Sequence, residues 1–276
     1  MFDLISQGHL RTNRVEILVL DEADHMLDLG FINDIHDLRQ KLPKRRQTLF
    51  FSATIDEKIK KLAYTIVNQK AVRIQVSPKN PVAKNVEHAV AFVSMDDKRF
   101  FLERFINENE DAKILIFVRT KVRAERVHKA MQRVGISSLT IHADKTQEER
   151  TKALEEFRTG SELILIATDI SARGIDIPDV SYVINYDLPE QAENYVHRVG
   201  RTGRGKQRGQ AYSFCSPDEK GLLADIETYV GSEIAVVDIT KADYESTVLL
   251  SQDDDQDWRA LIDLAEDIES NKKRKK

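Results

Sequence analysis

Continuous apolar blocks alternate along this chain with stretches in which apolar residues recur every three or four positions. The block VEILVL (Val15–Leu20) predicts a strand buried on both faces, since a half-wet strand would alternate apolar and polar residues. Ile32, Ile35, Leu38 and Leu42 follow at helical spacing. The strand QTLFFSA, the helix DEKIKKLAYTIV and the strand AVRIQV complete a first series. Ser77–Asn85 then brings two prolines and little apolar content, which marks a linker. In the second series VEHAVAFVS, KILIFV, SSLTIHA, ELILIAT, VSYVINYDLP and GQAYSFCS read as strands. Helices alternate with them in DKRFFLERFINEN, KVRAERVHKAMQRVG, TQEERTKALEEFRTG and QAENYVHRVGRTG, with Gly135 and Gly160 as stops. Strands alternating with helices of this length predict βαβ units and parallel sheets, an α/β fold.

The 276 residues accommodate about two domains at roughly 150 residues each. The pattern places them at 1–76 and 86–240, with the linker over 77–85. From 241 the composition changes. SQDDDQDWRALIDLAEDIES is acidic, with an amphipathic helix expected around Trp258–Ile268, and NKKRKK is basic. Residues 241–276 are therefore expected to be a partly disordered tail. A net charge of only −4 excludes a polybasic chain, so nucleic acid would have to use a local basic groove. The single cysteine, Cys215, excludes an internal disulfide framework and suits a reducing cytosol. Without a long apolar run or a signal-like N-terminus, a soluble, unsecreted, cytoplasmic protein without membrane contact is expected.

Three strand ends and one helix end carry candidate chemistry. Asp21, Glu22 and Asp24 follow VEILVL, at the carboxyl end of a buried strand where open α/β sheets bind ligands. Adjacent carboxylates there suit Mg²⁺–phosphate chemistry, one for a hydrated metal and one for an attacking water; they equally suit a helix cap or a solvated turn. Ser52 and Thr54 end the next strand as relay hydroxyls or as caps. ATDISARGID sets Thr168, Asp169, Gly174 and Asp176 after another strand, where Asp176 suits a ribose hydroxyl or the segment is an ordinary turn. HRVGRTGR gathers His197, Arg198, Arg201 and Arg204, and guanidinium forks match phosphate oxygens. From Gly200 the chain also reads GRTGRGKQ, one residue from a phosphate-binding loop. Gln207 stands where that loop needs a Mg²⁺-binding hydroxyl, so the arginines carry the phosphate reading and the loop match is accidental.

Taken in order, DEAD (Asp21–Asp24), SAT (Ser52–Thr54), IFVRT (Ile116–Thr120), QEER (Gln147–Arg150), TDISARGID (Thr168–Asp176) and HRVGRTGR (His197–Arg204) resemble the successive motifs of DEAD-box ATP-dependent RNA helicases. The resemblance runs from residue 1 to about 240. It implies two RecA-like parallel-sheet domains, the first truncated at its N-terminus. It also implies ATP and Mg²⁺ as cofactors, with Asp21 holding the metal through water and Glu22 positioning the hydrolytic water. Asp24, Ser52, Thr54 and His197 would couple the domains to the nucleotide, Asp176 would meet the ribose, and Arg201 and Arg204 would act as arginine fingers. Thr120, Arg150 and Thr168 would grip RNA phosphates, which makes binding sequence-independent and salt-sensitive.

The sequence departs from that family in two places. His142-Ala143 stands where the family usually has His-Gly before QEER. The family's aromatic–Gln segment, G-x-G-K-T loop and first RNA motifs lie upstream of DEAD, which here begins at residue 21. The chain is thus expected to be part of a helicase core and inactive alone. The competing expectations are a non-catalytic RNA- or partner-binding module and, from Gly200–Gln207, a small-molecule kinase. A first domain lacking strands is further expected to self-associate or to be locally disordered.

Overall fold

A computed structural model describes residues 2–28, 30–54, 57–68, 70–76, 82–83, 85–172, 177, 179–203 and 208–249. Asp176, Arg204, Gly174, most of the 77–85 segment and the predicted helix around Trp258–Ile268 lie outside the described residues. The chain divides into two compact units, residues 1–76 and 77–276.

The first unit runs α1 (Phe2–Ser6), β1 (Ile17–Leu20), α2 (Ala23–Asp28), α3 (Ile32–Lys41), β2 (Gln47–Phe50) and α4 (Glu57–Ile66). β1 and β2 pair in parallel, with Val19 opposite Leu49 and Leu20 opposite Phe50. One face of this ribbon is covered. Leu20 packs with Ile35 of α3 and with Leu62 and Ile66 of α4, and Leu18 and Phe50 join them.

The other face is bare. Ile17, Val19, Leu49 and Phe51 are 55%, 53%, 36% and 52% exposed. The expectation of a strand buried on both faces is therefore corrected: helices cover one side of β1 and no described element of this unit covers the other. AVRIQV is corrected as well. Residues 71–76 form no strand, and Val72, Ile74 and Val76 are all more than four-fifths exposed. Its alternating pattern suits a ladder, but no strand among the described residues pairs with it.

The second unit runs β3 (Val86–Phe92), α5 (Lys98–Asn107), β4 (Ile114–Phe117), α6 (Lys121–Arg133), β5 (Leu139–Ile141), α7 (Gln147–Thr159), β6 (Ile164–Ala167), α8 (Asp169–Ala172), β7 (Tyr182–Asn185), α9 (Ala192–Val199), β8 (Gly209–Cys215), α10 (Lys220–Val230) and β9 (Ala235–Val236). The seven strands form one sheet in the order β5-β6-β4-β7-β8-β3-β9. Every pair is parallel, as alternating strands and helices predict.

β4 and β6 are buried along their whole length, which their uninterrupted apolar runs require. Leu115, Leu165 and Val183 face Phe157 of α7, Tyr195 of α9 and Ile226 of α10. Ile114, Ile116, Ile166 and Ile184 face Leu102 of α5 and Val127 and Met131 of α6. The sequence reading did not anticipate α10, which buries Leu223, Ile226 and Val230 at helical spacing.

The expected tail boundary at 241 is also corrected. Residues 241–249 are helical. The ring of Tyr244 lies 4.9 Å from that of Phe101, and its hydroxyl donates to Asp97 Oδ2 at 2.7 Å. The Tyr244 hydroxyl oxygen in turn accepts from the Ser94 N–H at 3.0 Å. A half-buried aromatic with both hydrogen-bonding roles of its hydroxyl filled ties this segment to the domain.

Candidate functional site

Each unit places its candidates at strand ends. In the first, the exposed Asp21 follows β1 directly and its Oδ1 accepts from the Glu22 N–H at 2.9 Å. Glu22 has φ +49°, in the left-handed region. A non-glycine there costs on the order of 1–3 kcal/mol and persists only where the surrounding structure over-determines the backbone. Two residues on, Asp24 joins the two strand ends. Its Oδ2 accepts from the Thr54 N–H at 2.8 Å, and its Oδ1 from the His25 N–H at 3.0 Å. The acidic segment and SAT thus touch through Asp24 and Thr54. Ser52 Oγ is buried without a hydrogen-bond partner among the described residues, so its hydroxyl is left over for a further group.

In the second unit, Thr120, Arg150 and Thr168 come from the carboxyl ends of three neighbouring strands. Thr120 follows β4 and caps α6, accepting from the Arg123 N–H at 3.1 Å. Thr168 follows β6, and its N–H donates to Ile141 O at the end of β5. Arg150 lies in the first turn of α7, which follows β5 and starts with a reciprocal Thr146–Glu149 capping box. Its Nε is buried without a hydrogen-bond partner among the described residues. Since β5, β6 and β4 are adjacent, the topology gathers a guanidinium and two hydroxyls along one sheet edge.

The segment HRVGRTGR divides internally. Arg198 is 1% exposed and grips Asp169 with two nitrogens, Nε to Oδ1 at 2.5 Å and Nη2 to Oδ2 at 2.7 Å. Its Nη1 donates to Asp187 O at 2.7 Å and to Asn185 Oδ1 at 3.2 Å, and its guanidinium lies 5.1 Å from the Phe117 ring. Reading Arg198 among the phosphate-handling arginines is therefore wrong, because every face of it is committed inside the domain. Arg201 and His197 are half-buried, and Arg201 Nε donates to His197 O at 3.2 Å.

Beyond them the turn is fixed. Thr202 Oγ1 donates to Val180 O at 2.6 Å, and the Asn85 side chain donates to Gly203 O. Gly203 has φ +68°, and a Cβ there would stand 2.7 Å from Val86 Cγ2, so this turn admits only glycine. Gly200 closes α9 instead of following a strand, which removes the kinase reading of GRTGRGKQ.

Comparison with known proteins agrees with this geometry. Residues 1–62 match the DEAD/DEAH box helicase family and residues 97–206 the helicase conserved C-terminal domain. The solved structure of the Escherichia coli DEAD-box protein SrmB, bound to regulator of ribonuclease activity A, is 30% identical at a TM-score of 0.54. The match covers 57% of this chain and 93% of that one.

The chain belongs to the DEAD-box RNA helicase family.

Other DEAD-box relatives extend the match. The ATP-dependent RNA helicase DbpA of Bacillus subtilis is 41% identical over 239 residues, 86% of this chain and 50% of that protein. Saccharomyces cerevisiae Dbp5 bound to RNA and ADP BeF3 superposes at a TM-score of 0.79 with 30% identity, covering 91% of this chain and 66% of that one. The chain spans about half the length of the curated relatives it matches. Both units have the parallel-sheet RecA-like architecture of these helicases. Among the described residues no helix is long and apolar enough to cross a membrane.

Proposed function

We propose that this chain supplies the DEAD motif, the second RecA-like domain and one half of the RNA grip of a cytoplasmic ATP-dependent RNA helicase. The observation that carries the reading is the convergence of Thr120, Arg150 and Thr168 on the carboxyl ends of three adjacent strands. Hydroxyls and a guanidinium in a row suit successive phosphates and read no base, so binding is sequence-independent. A Mg²⁺–ATP complex supplies the phosphoryl chemistry when bound.

The residues present fit part of that ligand. Among the described residues no three His, Cys, Asp or Glu side chains could jointly hold a metal, so the exposed Asp21 would hold a hydrated Mg²⁺ through water. Glu22 would orient a water, and Asp24, Ser52, Thr54 and His197 would couple the domains to the nucleotide. Asp176 would meet the ribose, and Arg201 and Arg204 would offer positive charge to the terminal phosphate. The sequence contains no G-x-x-x-x-G-K-[ST] loop to cradle the triphosphate. An arginine finger supplied in trans is worth about 10³–10⁵ in rate, but only on a phosphate already held in line.

The purified 276-residue chain should therefore show negligible ATPase with or without RNA and no unwinding, while retaining weak binding to single-stranded RNA. Complementation with a P-loop-bearing segment should restore turnover, and Glu22→Gln should then abolish hydrolysis while sparing ATP binding. RNA-stimulated turnover by the chain alone, lost in Glu22→Gln, would overturn the account. The second reading is an RNA-binding module without turnover. Failure to regain ATPase on complementation, with RNA binding intact, would select it.

A further inference from the structure

A carboxylate outside these motifs sits against the loop that leads into the QEER segment. Glu125 lies in the second turn of α6, on the side facing β5. Its Oε1 accepts from Thr140 Oγ1 at 3.0 Å, lies 2.8 Å from His142 Nε2, and pairs with Lys145 Nζ at 3.2 Å. Thr140 lies on β5 and His142 just past its end, and both reach Glu125 of α6. One oxygen thus takes three donors spanning the end of β5 and the turn that leads into α7.

The turn has few other holds. His142 is 4% exposed, and its Nδ1 has no hydrogen-bond partner among the described residues, so the ring is fixed from the Glu125 side. The Lys145 N–H closes the turn onto His142 O at 3.1 Å, and a second, exposed pair joins Lys121 of α6 to Asp144. Thr146 then caps α7, and one helical turn later its carbonyl accepts from the Arg150 N–H at 3.0 Å. Rigid contacts therefore run without a gap from Glu125 to the backbone of Arg150. Ala143, in the place where the family usually has glycine, is not at positive φ, so the loop is set by these contacts and not by a glycine conformation.

We propose that Glu125 is a positioning residue for RNA binding: it holds the Thr140–Lys145 loop so that α7 presents Arg150 to an RNA phosphate. The inference rests on the assignment of Arg150 as a phosphate grip. A guanidinium at the start of a helix is only as well placed as the loop that launches the helix, and a misplaced charge loses the short, directional part of its contact.

The test measures anisotropy of a fluorescein-labelled oligouridylate against the full chain over a range of salt concentrations. It is paired with amide hydrogen exchange across residues 140–146. Arg150→Ala should weaken binding about tenfold, the loss of one charge-assisted contact, and lower the salt slope by roughly 0.7. Glu125→Ala should reproduce both changes and speed exchange in the loop while β4 stays protected. The double variant should be no weaker than either single one, because both remove the same contact. Glu125→Gln keeps the shape without the charge and should lose about threefold, with intermediate exchange.

Wild-type affinity in both Glu125 variants, alongside a weakened Arg150→Ala, would overturn the proposal and leave the Arg150 assignment standing. Additive losses in the double variant would also overturn it. Unchanged binding in Arg150→Ala would sink the assignment itself. If Glu125→Ala does not fold, Glu125→Gln decides alone: wild-type binding and loop exchange there overturn the proposal.

Discussion

Arg198 shows how the same side chain can read as a ligand contact in sequence and serve as a girder in the fold. It is flanked by candidates for phosphate binding, yet its guanidinium is spent on Asp169, Asn185 and the Asp187 carbonyl. Removing one partner of a buried ion pair leaves the rest uncompensated, at a cost of about 3–5 kcal/mol. Arg198→Ala should lower the denaturant midpoint of the second unit accordingly, and a midpoint within error of wild type would show the clamp to be dispensable.

Glu125 makes a prediction in pH. Burial pushes its carboxyl up, but hydrogen bonds from His142, Lys145 and Thr140 together with the Lys145 charge outweigh this and hold it at about 2, against an ordinary 4.5. The folded state thus prefers the ionised form. That stability is complete above about pH 4.5 and is lost as pH falls toward 2. Urea denaturation of wild type and Glu125→Gln should give a constant difference from neutrality down to about pH 4.5 that shrinks below it. A difference growing on acidification would contradict the assignment.

At the scale of elements, patterning revealed what depends on local sequence and hid what depends on partners. ILIF and ILIA are strands because each run is apolar throughout and the sheet flanks it on both sides. AVRIQV has as good a pattern and forms no strand, since a ladder needs a neighbour that no local window contains. The helix over 241–249 was hidden by its charged surroundings, and long-range contacts such as that of Tyr244 with Asp97, 147 residues away, explain it. The site divides in the same way. Motif residues at strand ends were legible from spacing, whereas the pairing of Arg198 with Asp169 spans 29 residues without a local signature. Glu125 gave no signal at all, because a lone acid in a basic helix looks like surface.

At the scale of the whole molecule, the two units differ in completeness. Seven described strands with a hydrophobic cluster on each face of the sheet form the second, whereas the described strands of the first are a pair with one apolar face open to water. Such a face invites a second copy. Sedimentation velocity should show concentration-dependent association of the full chain, relieved by the double change Val19→Glu and Leu49→Lys. A strict monomer in both would remove that expectation. Limited proteolysis should cut within residues 1–76 before it cuts the sheet of the second unit.

Lys98 offers a way to watch the second unit alone. Its ammonium is 0% exposed, bound to Glu219 Oε2 at 2.5 Å and to Tyr186 O at 2.7 Å, while Lys152 has a side chain 78% exposed. Burial also pushes its pKa down against the pull of Glu219. An acylating reagent will label Lys152 at once, but can reach Lys98 only after the Glu219 cage opens. The rate at which mass accumulates on the Lys98 peptide is therefore a clock for opening of this domain, readable in a mixture and indifferent to the state of the first.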